Sequence, residues 1–472
     1  MPNLKTFLIP LLLTSAISLP AFAQETTQLS EDDRSDIRIT IYNGNFAAIS
    51  ETRALSISAG LNRIEFADVS ARIQPETALL EGGDFEFIEQ NFDYDLLSPQ
   101  KLIEKAVGKT ILVERTNPAT GRTSIEEATV LSTNGGVVLK FEDTIEIFGQ
   151  GGLPERFSFK EIPENLRAKP TLSTTINASS NYDGDVRLSY LTGGFVWKAD
   201  YVGSLSADET RMDIQAWVTL TNNSGTNFSN VRLQVLAGEV NRVQFKSTQE
   251  EFVVVTGSRI ARGNIEPESI SDFHLYKIPF KTDLKNNQTK QVALFAAKGV
   301  PVEKFYVFDA RGVTRNFEPV LVYYEFDNSD ENNLGNPIPM GVFRIYAKDQ
   351  AGEAQFLGEN YIPNTPEDQR VILQTGKAFD VTIMEKQTSY SRRDISPKQG
   401  TRQYETTTGK EITFKNAKDK AVTVRFFEHL YGNWKIISES QDHLDEDADT
   451  IYWEIEVPAK GEATLTYTKR TR

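Results

Sequence analysis

The chain has 472 residues, a formal net charge of −15 and no cysteine. A field of that sign repels nucleic-acid phosphates and anionic lipid headgroups, which argues against nucleic acid as a partner. The missing thiols exclude disulfide staples, a cysteine nucleophile and a thiolate metal site. At this length a core needs no staple, and about 100 to 200 residues per domain predicts three or so domains.

The first 23 residues, MPNLKTFLIPLLLTSAISLPAFA, place Lys5 before an apolar run and end in small residues with A-F-A spacing. This predicts a secretory signal peptide cleaved after Ala23, and a mature chain without a spanning segment. Over 24–97 a β region is expected. In DIRITIYNGNFAAIS, Ile37, Ile39 and Ile41 share one face, and NGN signals a turn. Residues 98–170 open with SPQKLIEKAVG, where Ser98 caps, Pro99 suits the first turn and Gly108 ends a short helix. Four or five strand-like runs follow within 60 residues, which predicts a small β-barrel-like insertion. Such barrels often hold oligonucleotides, but residues 100–169 carry ten Lys and Arg against ten Asp and Glu, so no basic groove is expected.

The segment 171–373 reads as a central β-sandwich. In MDIQAWVTLTNN, Met212, Ile214, Ala216, Val218 and Leu220 alternate with polar positions, so one face packs inward. GVFRIYAKDQAGEAQFLGENYIP reads as a hairpin turning at Asp349 to Gly352. Residues 374–472 have the strand spacing and length of an immunoglobulin-like sandwich. The expected fold is all-β: antiparallel sandwiches in several domains, with a small barrel-like insertion and one short helix.

The blocks LSYLTGGFVWKADYVGSL, QAWVTLTNNSGTNFSNVRLQVLAGEVNRV, NPIPMGVFRIYAKDQAGEAQFLGE, GKAFDVTIMEKQT and FKNAKDKAVTVRFFEHLYGNWKI together resemble a bacterial exported family. That family is designated domain of unknown function 4139 and is related to mucoidy-inhibitor-type envelope proteins. The resemblance runs to Arg472 and implies an exported envelope protein, periplasmic or associated with the outer membrane of a Gram-negative bacterium. It implies no reaction, cofactor or catalytic residue. The long coiled segment of the mucoidy-inhibitor relatives is replaced here by the short helix and β insertion.

Signatures of chemistry are sparse. VGKT at 107–110 lacks the upstream glycine of a phosphate loop, and Ser98 with Lys101 is a helix start. His274, His429 and His443 stand apart in sequence. Asp445, Asp447, Asp449 and Glu456 take places 1, 3, 5 and 12 of a calcium loop, but Thr450 stands where the sharp-turn glycine belongs and a strand follows. An acidic turn explains the run, and no cofactor is expected. Gly193 and Gly194 before Phe195, Trp197 and Tyr201 describe a tight turn entering a core strand, with a ligand pocket as the alternative.

Residues 250–260, EEFVVVTGSRI, resemble the TonB box of outer-membrane receptors. Glu251, Val253, Val254, Val255, Thr256, Gly257 and Arg259 are the candidate partner-binding residues, because such a segment docks by adding a strand to a sheet edge. The position is mid-chain, so the chain is not a receptor, and VVV also reads as a home strand. The reading is a non-enzymatic interaction or scaffolding protein meeting envelope proteins, TonB-like ones among them. The alternative is a periplasmic hydrolase or glycan-binding protein with a site assembled from distant residues.

Overall fold

The computed structural model describes residues 25–93, 95–148, 155–161, 166–242, 267–310, 312, 314, 316–396 and 403–472. These residues are almost all strand, and the fold is all-β with several sheets. The chain divides into two units, residues 1–36 with 50–190 and residues 37–49 with 191–472. No helix among the described residues is long and apolar enough to cross a membrane.

The first unit holds a four-stranded sheet. Glu25–Leu29 runs parallel to Gly60–Ala67, followed by antiparallel Thr171–Ala178 and then Phe85–Asp93. Ile64, Phe66, Leu172 and Ile176 are buried in it. Beside them Arg53, with no exposed surface, donates to the Leu29 carbonyl at 2.8 Å and to Glu51 at 2.9 Å. The strand Glu25–Leu29 is thereby held by a buried cation as well as by its ladder.

The insertion begins with the expected helix, Pro99–Lys105. The Ser98 hydroxyl accepts from the Lys101 N–H at 3.1 Å, satisfying a helix-start donor, and Gly108 leaves with φ +82°. Ile103 and Ala106 pack with Ile111, Val113, Val130 and Leu139 of a five-stranded sheet. That sheet runs in the order Ile145–Ile147, Val138–Lys140, Thr123–Ser132, Thr110–Thr116, Glu155–Ser158. Its two outermost strands meet: Arg115 reaches Glu146 on one at 2.5 Å and Glu155 on the other at 2.9 Å, and the Phe148 and Phe157 rings lie 4.2 Å apart. Side chains rather than a ladder complete this barrel-like curl.

In the second unit the sheet Gln288–Pro301, Arg211–Asn222, Phe195–Leu205, Gly341–Lys348, Ala354–Ile362 forms one layer. The other layer contains Pro267–Ile270, Phe273–Leu284 and Phe228–Ala237, the last parallel to Arg34–Tyr42 along Arg38 to Tyr42. Met212, Ile214, Ala216, Val218 and Leu220 are buried with period two in the first layer, as are Ile39, Ile41, Val231, Leu233 and Val235 in the second, and the Phe195 and Phe228 rings, one from each layer, lie 5.9 Å apart. The chain crosses between layers after Asn222, whose buried amide donates to the carbonyls of Thr226 and Leu284 and accepts from Ser224 N–H, each at 3.0 Å. The hairpin at Asp349 to Gly352 forms as its sequence dictates, with Gly352 at φ +85°.

A nine-stranded sheet completes this unit. Its order is Trp434–Glu439, Gly461–Thr471, Tyr404–Asn416, Arg370–Asp394, Glu318–Asp327, Glu303–Asp309, Val422–His429, Thr450–Val457, Leu444–Asp445. It folds back on itself, since the Phe426 ring packs 6.2 Å from Phe414 and 6.0 Å from Trp453. The immunoglobulin-like segment was expected to start at 374. The sheet in fact takes in Glu303–Asp309 and Glu318–Asp327, and Arg370–Asp394 runs through residue 374 without a break.

Candidate functional site

Among the described residues the strand Arg370–Asp394 is the longest, and its second half leaves its neighbour behind. Pairing with Glu318–Asp327 ends at Glu318 opposite Ile383. One more contact follows, where Thr314 accepts the Glu385 N–H on its hydroxyl at 2.7 Å and donates its own N–H to the Glu385 carbonyl at 3.2 Å. From Lys386 to Asp394 the strand pairs only with Tyr404–Asn416, and every side chain is exposed. Tyr404–Asn416 in turn pairs along its length with Gly461–Thr471, so the arm is backed on one side and open on the other. Among the described residues no strand covers that open side.

The sequence KQTSYSRRD suits an extended edge. Thr388 and Tyr390 favour strand geometry, and charged residues stand at both ends. The Arg392 guanidinium lies 3.5 Å over the Tyr404 ring, and Lys386 faces Glu411 at 3.7 Å. A Cβ on Gly409 would come within 2.5 Å of the Ser389 hydroxyl, so glycine permits the close approach of the two strands at the bulge beside Thr388.

The root of the arm is clamped by buried charge. Glu385 is fully buried and Lys410 and Glu428 nearly so; the Lys410 ammonium lies 2.7 Å from Glu385 and 3.0 Å from Glu428. Glu428 also accepts from the Tyr467 hydroxyl at 2.5 Å and pairs with Lys469. Burial lifts the Glu385 carboxyl above the usual range, with Lys410 pulling the other way. Burial acts to lift Glu428 as well, but Lys410 and Lys469 outweigh it and hold that carboxyl low. Burial would lower Lys410, yet its two carboxylates raise it. The Tyr467 hydroxyl is raised by burial and by Glu428. These shifted groups face one another inside the sandwich, which makes them an anchor rather than open acid–base machinery.

A small cavity of about 200 Å³ lies at the end of the central sandwich, lined by Gly238, Asp272, His274, Tyr276, Pro337 and Pro366 among others. Tyr276 donates to the Pro337 carbonyl at 2.8 Å and Tyr201 to the Pro339 carbonyl at 2.6 Å, so both hydroxyls are committed to holding the wall. Its volume suits one side chain and falls below the usual ligand pocket of ~300 Å³ or more. Four separate stretches build it, and no sequence motif marks it.

Residues 250–260, with Glu251, Val253, Val254, Val255, Thr256, Gly257 and Arg259, lie outside the described residues, as does the signal-like segment 1–23. The calcium arrangement does not form. Asp447 accepts from the Asp449 N–H at 2.8 Å to close a turn, Asp445 sits in the short ladder opposite Ile451, and Glu456 is exposed on the strand beyond. Among the described residues no three acidic or histidine side chains gather into a metal-holding group. The histidines do not converge either: His429 meets Asp309 at 2.8 Å, and His443 meets Glu439 at 3.0 Å. Gly194, at φ +87°, makes the turn into a buried strand holding Phe195, Trp197 and Tyr201. The edge at Lys386–Asp394 was missed in the sequence because an uncovered strand and a covered one share the same alternation. No family model matches the chain, and no curated protein matches it.

Proposed function

We propose that this is an exported envelope protein that works as a non-enzymatic interaction module, binding partners by strand addition. The observation that carries the reading is the open edge Lys386–Asp394, nine residues backed by a sheet and clamped at its root. A partner strand laid along it gains a row of backbone hydrogen bonds, each worth about 0.5–1.5 kcal/mol net, while alternate side chains such as Tyr390 set selectivity. The block resemblance to the domain of unknown function 4139 family supports export to a Gram-negative envelope. The TonB-box-like run 250–260 supports TonB-like proteins as one class of partner.

Photo-crosslinking in living cells, from Tyr390 and separately from Val255, tests the reading. Successive N–H groups of a strand point to opposite sides, so only one of Ser391→Pro and Arg392→Pro removes a donor from the open side. Capture of an envelope protein at 390, abolished by that one variant, is the expected result. A crosslink pattern indifferent to both prolines would overturn it. Loss of capture at 255 in Val254→Pro would assign TonB-like docking to that segment.

A further inference from the structure

Beyond the bulge at Thr388 the arm runs as a regular ladder from Ser389 to Asp394, and its two arginines point to opposite faces. On one face Ser391, Thr407, Arg470 and Lys435 form a row across four strands, and Arg393 stands in the next row opposite Glu405. Arg472 binds that glutamate at 2.6 Å, so four cationic side chains share this end of the face with one acid. Arg472 holds the Glu405 carboxyl low, with Arg470 and Arg393 adding to it. Among the described residues Arg393, Arg470 and Lys435 have no ion-pair partner, and Arg470 Nε is buried without a hydrogen-bond partner.

On the other face Arg392 stands opposite Thr406 and stacks over the Tyr404 ring. Asp394 is the acid there, and its carboxylate is held first by the Ser396 hydroxyl and N–H. Closer to the root the charges balance: Lys386 has Glu411, and Lys415 has Glu462. The positive excess is thus confined to the far end of the arm, against the sign of a chain carrying −15. Tyr390, Arg392 and Arg393 lie on the uncovered strand itself, within reach of whatever pairs with it.

We propose that the strand received by this edge is acidic where it meets Arg392 and Arg393; this rests on the strand-addition reading and names the chemistry of the partner. Residues directly opposite share a face and neighbours along a strand alternate, so one carboxylate is needed on each face. The two acids are therefore consecutive. The residue two places on from the acid beside Arg392 meets the Tyr390 ring, which suits a β-branched side chain. An acidic pair, one free position and an apolar residue is the recognition pattern, in either chain direction. A free phosphate or an anionic glycan would meet the cations and leave the backbone edge unused.

The test is fluorescence anisotropy of the full chain with a labelled peptide, Thr-Val-Thr-Asp-Asp-Thr-Val-Thr, which presents that pattern in both directions. One counterpart carries Asn-Asn in place of Asp-Asp, and another keeps the charge but is N-methylated at every residue, which blocks a ladder. The Asp-Asp peptide should bind roughly fivefold or more tightly than the Asn-Asn one, as two opposite-charge cross-strand pairs imply, and the gap should narrow as salt rises. In Arg392→Gln with Arg393→Gln the two peptides should bind alike, with circular dichroism unaltered. Equal binding of both to the parent chain, or a preference that survives the double substitution, would overturn the acidic partner and leave strand addition standing. The N-methylated peptide binding as tightly as its parent would show charge capture without a ladder and overturn the proposal. Binding of no peptide would overturn this proposal alone if Tyr390 still captures a protein in cells, and both readings if it does not.

Discussion

At Gly194 the backbone sits at φ +87°, and a Cβ placed there would lie 2.6 Å from the Asn223 carbonyl oxygen. Gly194→Ala therefore combines an unfavourable left-handed conformation with a backbone clash. Unfolding in denaturant should show a loss of about 2 kcal/mol or more. The buried clamp gives a second prediction at this scale. Lys410→Met leaves the buried Glu385 without its cation and takes one of two from Glu428, and should cost about 3 kcal/mol, far more than loss of an exposed pair. Lys410 is raised above its ordinary 10.5, so its contribution is complete below that pH and disappears as pH climbs through the folded value. Glu428 is held below its ordinary 4.5, so its contribution is present above that pH and fades as pH falls through its folded value. Glu385 has the opposite sign: its raised carboxyl favours the fold while protonated, and ionising it costs stability as pH rises from 4.5. Melting temperatures against pH should drop above 10.5 in the parent chain, and less steeply in Lys410→Met.

Among the elements, those set by local chemistry could be read from the chain alone. Ser98, Pro99 and Gly108 name their helix, and the hairpin at Asp349 to Gly352 follows from its turn residues. The alternation from Met212 to Leu220 likewise shows which face is buried. What the pattern does not carry is the neighbour of each strand. Nothing local in KFYVF says that Tyr306 will lie beside Val424, more than a hundred residues on, so the extra strands of the nine-stranded sheet escaped the reading. The cavity at His274 escaped for the same reason, since its walls come from four stretches brought together only by folding. The bulge at Thr388 also lies beyond periodicity, because an irregular pairing breaks the count.

For the second unit as a whole, one side chain joins two sheets. Ala354–Ile362 is the last strand of its sheet, and Asn360 on it donates to the Gln374 carbonyl at 2.7 Å and accepts the Gln374 N–H at 2.6 Å. An amide thus takes the place of a ladder rung between the central sheet and Arg370–Asp394. The approach is close, since a Cβ on Gly358 would stand 2.4 Å from the Thr375 carbonyl oxygen. Asn360→Ala leaves the Gln374 backbone groups without those partners and should lower stability by about 1–3 kcal/mol. Native-state hydrogen exchange should show the Gln374 amide losing protection first. An unchanged exchange pattern would mean that the sheets hold together by apolar packing alone.

The strand Arg370–Asp394 has 25 residues, which at ~3.3 Å each makes a rod of roughly 80 Å. One end is tied to the central sheet at Gln374, the middle is locked by Glu385, and the far end is the open edge. A partner strand gripped along that edge and pulled lengthwise would load its hydrogen bonds in shear, so that they share the force instead of failing one after another. The same tension would travel down the rod into the clamp and the Asn360 junction, making this part of the protein a mechanical coupling as well as a contact surface.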